Sequence, residues 1–177
     1  MAKGSGVVAG GDEDGYAEFV RAGYEGWFRY AVALTGGDRD RAYDLVQEAL
    51  VRCLRRVGGG WSGLSGAYVY AVVLNVFRDG LRRSERSLRR ELRVAVPDLV
   101  PDVADPVVDR ARVMRLLSQV SVRQREVLAA RFLLDLSERD TARLLGCSVG
   151  TVKTLTSRGL VRLRVLLSVR EGAEVDG

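Results

Sequence analysis

All three prolines of the chain, Pro97, Pro101 and Pro106, fall within the ten residues PDLVPDVADP, interleaved with Asp98, Asp102 and Asp105. Proline is excluded from helix interiors because it has no backbone N–H and its ring clashes with the preceding turn. It also pushes the residue before it towards extended backbone. A chain of 177 residues with its prolines confined in this way is expected to divide here, with helices on both sides.

Hydrophobic spacing supports that division. In DRDRAYDLVQEALVRCLRRV, the residues Ala42, Leu45, Val46, Ala49, Leu50, Cys53, Leu54 and Val57 recur at steps of three and four. They form one apolar stripe on a helix of about five turns. Asp38 is placed to cap it, Gly58-Gly59-Gly60 to end it, and Cys53 falls on the stripe as a core residue. A weaker helical pattern runs from Tyr16 to Leu34 and stops at Gly36-Gly37, and a third helix is expected over residues 67–93, with a break near Gly80 or Ser84. Beyond the prolines, helices are expected at residues 106–119, after the capping-box pattern Ser121-x-x-Gln124, from Ser137 to Gly146, and from Ser148 to about Leu167. The fold class is therefore all-α, with two helical domains joined by a flexible, acidic, proline-containing linker. The expected limits are a disordered tail at 1–14, a first domain at 15–94, the linker at 95–107, a second domain at 108–168 and a C-terminal tail at 169–177.

Composition removes whole classes of function. There is no histidine, so His-based triads, His-metal sites and imidazole proton shuttles cannot be built. Cys53 and Cys147, far apart in sequence, make neither a disulfide framework nor a four-ligand zinc site. The start, MAKGSGVVAGG, lacks the apolar core of a secretory signal. The longest nearly apolar stretch, Ala67 to Phe77, is about half a bilayer span. A cytosolic chain with no membrane helix and no cofactor is expected. No nucleophile has a base beside it, so an enzyme is the least favoured class.

Charge is unevenly placed. Residues 1–96 are net +3, residues 97–108 net −3 and residues 109–177 net +5, and Arg78 to Arg93 holds seven arginines. On the third helix, at about 100° per residue, Tyr70, Val73, Leu74, Phe77 and Leu81 share one face, and Tyr68, Asn75, Asp79, Arg82 and Arg83 the other. An apolar back with a front of aromatic, amide and arginine side chains suits nucleic acid, with arginines on phosphates and aromatic or amide groups on an unpaired base. An ordinary amphipathic helix fits the same pattern.

The last two helices, joined through a short glycine-containing turn, form a helix-turn-helix arrangement. On the second of them Val149, Val152, Thr156, Gly159, Leu160, Leu163 and Leu167 lie on one side. Gly150, Thr154, Ser157, Arg158 and Val161 face away, flanked by Lys153, Arg162 and Arg164. Hydroxyls, a lysine and arginines are donors for phosphates and for base edges in a major groove. A helical hairpin that binds protein is the alternative, and exposed Val161 favours it.

Several of these segments resemble one family. LSERDTARLLGCSVGTVKTLTSRGLVRLRVLL resembles the helix-turn-helix of region four of bacterial extracytoplasmic-function (ECF) sigma factors, and VSVRQREVLAARFLLDLS resembles the helices leading into it. DRDRAYDLVQEALVRCLRR resembles the D-x-V-Q-E helix of region two, and AYVYAVVLNVFRDGLRR the helix that follows. The matches keep family order over about residues 16–167 and look most like the actinobacterial SigE-like group. The resemblance implies a dissociable specificity subunit with core RNA polymerase and promoter DNA as partners, leaves an anti-sigma factor open as a third, and implies no membrane contact. It carries Asp44, Leu45, Val46, Gln47 and Glu48 over to the polymerase clamp helices. Asn75, Arg78 and Asp79, with the loop Gly58–Gly66, carry over to the minus-ten element, with Tyr68 on the same face and Arg82 and Arg83 on backbone. Thr151, Lys153, Thr154, Ser157, Arg158 and Arg162 fall on the helix that reads the minus-thirty-five element. The chain departs from the family at Tyr68, where tryptophan is common, at Leu155, at Gly159 and at Val120-Ser121. Two other readings remain: a stand-alone helix-turn-helix regulator, and a sigma-like interaction protein that reads no promoter.

Overall fold

The computed structural model describes residues 10–57, 64–90 and 108–175, and within them the chain forms seven α-helices and no strand. They are α1 (Gly10–Thr35), α2 (Arg39–Val57), α3 (Gly66–Arg90), α4 (Val108–Ser118), α5 (Val122–Phe132), α6 (Glu138–Leu145) and α7 (Val149–Val175). The expected linker at 95–107 and most of the glycine-rich loop lie outside the described residues, as do residues 1–9 of the expected tail. Residues 10–14 of that tail are instead helical. The helix therefore starts before Tyr16. α3 continues through Gly80 and Ser84 without a break. α7 runs past Leu167 and the expected limit at 168, since Arg170, Glu171, Ala173 and Glu174 favour helix and Gly172 alone opposes it.

The turn between α1 and α2 follows from a few side chains. Gly36 and Gly37 hold φ of +73° and +103°, and the Gly37 N–H reaches back to the Val32 carbonyl at 2.9 Å, tying off the end of α1. The Thr35 hydroxyl donates to the Asp38 carbonyl at 2.8 Å, and the Asp38 carboxylate accepts the Arg41 N–H at 2.9 Å as the cap of α2. α2 then leaves at an angle that turns its stripe inward: Ala42, Leu45, Val46, Ala49, Leu50 and Cys53 are all buried. They meet Trp27, Tyr30 and Leu34 of α1 and Val69, Val73, Leu74 and Phe77 of α3. The Tyr30 and Tyr70 rings meet edge to face at 5.5 Å. Truncating one of the buried aromatics to alanine costs about 3–5 kcal/mol.

The second half is built from capped short helices. Ser121 and Gln124 form a reciprocal capping box at the start of α5. Ser137 caps α6, and Gly146, at φ +66°, ends it. The Ser148 hydroxyl accepts the Thr151 N–H at 3.1 Å to open α7. Gly159 lies where α7 crosses α5: a Cβ there would sit 3.0 Å from Leu128 Cδ1. The glycine that weakens helix propensity thus lets the two helices approach closely.

The halves do not stand apart. One buried cluster runs from the α1–α3 bundle into Leu117, Val120, Val127, Leu128, Ala129, Ala142, Leu145 and Val152, and α1 packs on both α4 and α5. Arg125 extends a guanidinium N–H from α5 to the Leu34 carbonyl at 3.1 Å. Periodicity divides the chain into two modules; packing docks one on the other.

Candidate nucleic-acid interface

The first turns of α7 project from the second module. Val152 is fully buried and anchors the helix, while Thr151, Lys153, Thr154, Ser157, Arg158 and Arg162 are all exposed. Six donors on consecutive exposed turns, capped by Ser148 and set off from α6 by Gly146, Cys147 and Ser148, give the geometry of a helix offered to a groove. The Thr151 hydroxyl lies 2.9 Å from that of Ser148. Lys153 is held 3.7 Å from Glu138 of α6, an exposed pair worth no more than about 1 kcal/mol and so easily exchanged for a phosphate. Val161 is 54% exposed, as its place on the helix wheel requires.

On α3, Asn75, Arg82 and Arg83 are exposed on one side, as expected. Tyr68 is half-buried, with the Arg56 guanidinium 5.5 Å from its ring centre. Asp79 joins a chain of ion pairs. It accepts from Arg82 at 2.6 Å and from Arg52 at 2.9 Å, and Arg52 also reaches Glu48 at 2.8 Å. The hydrogen bonds from Arg82 and Arg52 hold the Asp79 carboxyl below the usual carboxylate range.

Arg78 points elsewhere. Its Nε and one terminal nitrogen donate to the two carboxylate oxygens of Glu126 at 2.9 and 2.8 Å, and its third nitrogen donates to the Leu145 carbonyl at 3.1 Å. Glu126 is 2% exposed and also takes Arg123 at 3.2 Å. The bidentate bond to Glu126 raises the Arg78 pKa above its ordinary value, against the effect of burial. The structure thus brings Asn75, Arg82 and Arg83 onto α3's open side, leaves Tyr68 half-buried in a groove against Leu133 and Leu144, and turns Arg78 into the seam between modules.

The five residues of the D-L-V-Q-E helix separate by period. Asp44, Gln47 and Glu48 are exposed on α2, while Leu45 and Val46 are buried beneath them. Sequence reasoning missed three side chains of consequence: Arg52, Arg125 and Glu126. Glu126 carried one signal, an acidic residue leading the otherwise apolar run VLAA. Among the described residues there is no group of side chains suited to hold a metal ion, and no helix is long and apolar enough to cross a membrane.

The likeness to known proteins agrees with this architecture. Residues 110–163 match the family model described as Sigma-70, region 4. An RNA polymerase sigma-E factor of Streptomyces avermitilis is 34% identical over 170 residues, covering 93% of this chain and 91% of the relative. The ECF RNA polymerase sigma factor SigM of Mycobacterium tuberculosis is 30% identical over 158 residues, covering 89% of this chain and 79% of the relative. In fold, the chain resembles the sigma factor RpoE crystallised with the anti-sigma factor NepR from Bartonella quintana. The TM-score is 0.74 at 24% identity, over 87% of this chain and 97% of that one. With the helix-turn-helix and the D-L-V-Q-E helix in family order, the chain belongs to the extracytoplasmic-function sigma factors of RNA polymerase.

Proposed function

We propose that the chain directs transcription initiation by placing three surfaces on two partners, core RNA polymerase and the two elements of a promoter. Asp44, Gln47 and Glu48 of α2 dock on core RNA polymerase, with Leu45 and Val46 holding the helix in place from below. The open side of α3, with Asn75, Asp79, Arg82 and Arg83, takes the minus-ten element, joined by half-buried Tyr68 and by Arg78 once it is released from Glu126. Thr151, Lys153, Thr154, Ser157, Arg158 and Arg162 of α7 take the minus-thirty-five element. Residues 15–94 act as region two, 108–168 as region four and 95–107 as the tether between them. The observation that carries the reading is the row of exposed donors on the first turns of α7, rigidly based on buried Val152.

The mechanism is one of binding. The polymerase makes the phosphodiester bonds, and this chain supplies differential affinity for promoter over other DNA. Each module holds its element weakly, and the tether makes the second contact intramolecular once the first is formed. An unstacked base on the Tyr68 and Asn75 side offsets the few kcal/mol that unstacking costs. The work belongs in the cytoplasm with the polymerase, and an anti-sigma factor, as in the complex of RpoE with NepR, is a further partner. Promoter-dependent transcription with core polymerase tests the reading. Asp44→Lys with Glu48→Lys is expected to abolish initiation through lost polymerase binding. Lys153→Ala and Arg158→Ala are each expected to weaken promoter use and lower the salt slope of binding by about 1. Tight duplex binding without any polymerase binding would make the chain a stand-alone regulator instead.

A further inference from the structure

We infer that Arg56, an exposed residue in the last turn of α2, is a nucleobase-binding residue. Its guanidinium and the Tyr68 ring form the two leaves of a clip that takes one unstacked base of the minus-ten strand, a role that rests on the one proposed above for Tyr68.

One leaf is fixed. Tyr68 lies in the first turn of α3, where its N–H donates to the Ser65 carbonyl at 3.0 Å and to the Ser65 hydroxyl at 3.3 Å. Its ring is half-buried, so part of the ring surface stays in solvent. The other leaf is movable. The Arg56 side chain is exposed on a helical backbone, with the guanidinium carbon 5.5 Å from the ring centre. A cation over a ring at an exposed site is weakly held. A base between the two leaves needs about 7 Å, twice an ordinary carbon–carbon contact. The guanidinium therefore has to move outward by about 1.5 Å, which a long side chain does by changing rotamer with the backbone in place. Because the guanidinium is planar it stacks on a base as it does on the ring. The incoming base thus exchanges one cation–π contact for two stacked ones.

Three arginines of α2 stand over aromatic rings, and the other two are not built to open in this way. Arg41 lies 5.8 Å from the ring of Phe77, which is 2% exposed and leaves no room for a base. Arg39 lies 5.1 Å from the ring of Phe28, which is already stacked on Tyr24 at 5.9 Å. Among the described residues no second ring stacks on Tyr68. Charge points the same way. Arg52, Arg78, Arg82, Arg123 and Arg143 are each paired with a carboxylate, whereas among the described residues no carboxylate pairs with Arg56. A clip of two flat faces touches no base edge, so it holds a base without specifying which one.

The test is photocrosslinking of holoenzyme, assembled from the full chain and core RNA polymerase, to a single-stranded oligothymidylate carrying one 5-iododeoxyuridine. Mass spectrometry identifies the crosslinked residue, and thermal unfolding of each variant runs in parallel. The expected result is a crosslink at Tyr68 whose yield falls about fivefold in Arg56→Ala. Arg56→Lys, which keeps the charge and loses the plane, is expected to fall as far. Arg55→Ala, also exposed in the same turn, is expected to leave the yield unchanged. Full yield in Arg56→Lys reduces the arginine to a phosphate contact and overturns the clip, as does an equal fall in Arg55→Ala, which reports bulk charge. A lower Tm in Arg56→Ala with unchanged yield makes the arginine a cover for the ring; the clip is then overturned while the Tyr68 role stands. Absence of any Tyr68 crosslink in the parent, together with normal promoter opening by Tyr68→Ala, removes the Tyr68 role itself and the clip with it.

Discussion

Gly36 and Gly146 both adopt left-handed backbone, with φ of +73° and +66°, yet they sit in different surroundings. A Cβ at Gly146 meets nothing within 4 Å, so Gly146→Ala costs only the strain of placing a side chain in that conformation, about 1–2 kcal/mol. At Gly36 the added methyl lies 3.0 Å from Ser118 Cβ, 3.2 Å from Ser118 Cα and 2.8 Å from an Arg125 nitrogen, all across the seam. Overpacking of this kind adds about 1–3 kcal/mol, and displacing Arg125 endangers its bond to Leu34. Gly36→Ala is therefore expected to lose about 2–5 kcal/mol, roughly twice the loss at Gly146. For a chain of this length each kcal/mol lowers Tm by about 2–4 °C. The assay is thermal and urea unfolding followed by circular dichroism, with Ser118→Gly completing a double-mutant cycle. That second change removes the nearest carbon atom and should recover a large part of the extra loss. Equal destabilisation by the two glycine variants, with no recovery through Ser118→Gly, would mean that Gly36 and Ser118 do not touch in solution and would refute the docking of the modules.

Ser148→Ala removes the cap of α7 and is expected to cost about 1 kcal/mol; faster hydrogen exchange at Thr151, with weaker promoter complexes, would report it. Asp79 has a folded pKa below its unfolded value, so its ion pairs contribute stability above the ordinary carboxylate pKa, about 3.9. That contribution is lost as pH falls through the lower folded pKa. Asp79→Asn should therefore reduce the slope of stability against pH on the acid side below about pH 4, read by urea midpoints, and an unchanged slope would count against the Arg82 and Arg52 pairs. Burial raises the Cys53 thiol above its usual pKa, so iodoacetamide at neutral pH is expected to modify half-buried Cys147 first, with Cys53 reacting only on unfolding; peptide mass spectrometry distinguishes the two.

What could be read from the residues was what repeats. The α2 stripe, the caps at Asp38, Ser121, Ser137 and Ser148, and the division of α7 into buried Val152 and exposed Lys153, Thr154, Ser157 and Arg158 each follow from local spacing. The docking of the modules had no such signal. Arg78 and Glu126 pair across 48 positions, and no period connects them. Glu126, Val127, Leu128, Ala129 and Ala130 are buried in succession, which a wheel cannot predict because a helix covered on all sides has no polar face. On the α3 wheel the buried side proved wider than the expected set, taking in Val69, Val72 and Val76 as well, because α1 and α2 cover it from two directions.

The Glu48, Arg52, Asp79 and Arg82 chain of charges makes α2 and α3, the helices proposed to face polymerase and promoter, hereditary neighbours. Arg52 is shared between Glu48 of α2 and Asp79 of α3, so a substitution at either carboxylate alters the arginine that the other depends on. Effects measured at the two positions will not add, and a loss at one is open to compensation at the other or at Arg52. If the proposed roles hold, in a lineage that changes its promoters while keeping its polymerase, mutational tolerance at Asp79 is set partly by what stands at residue 48.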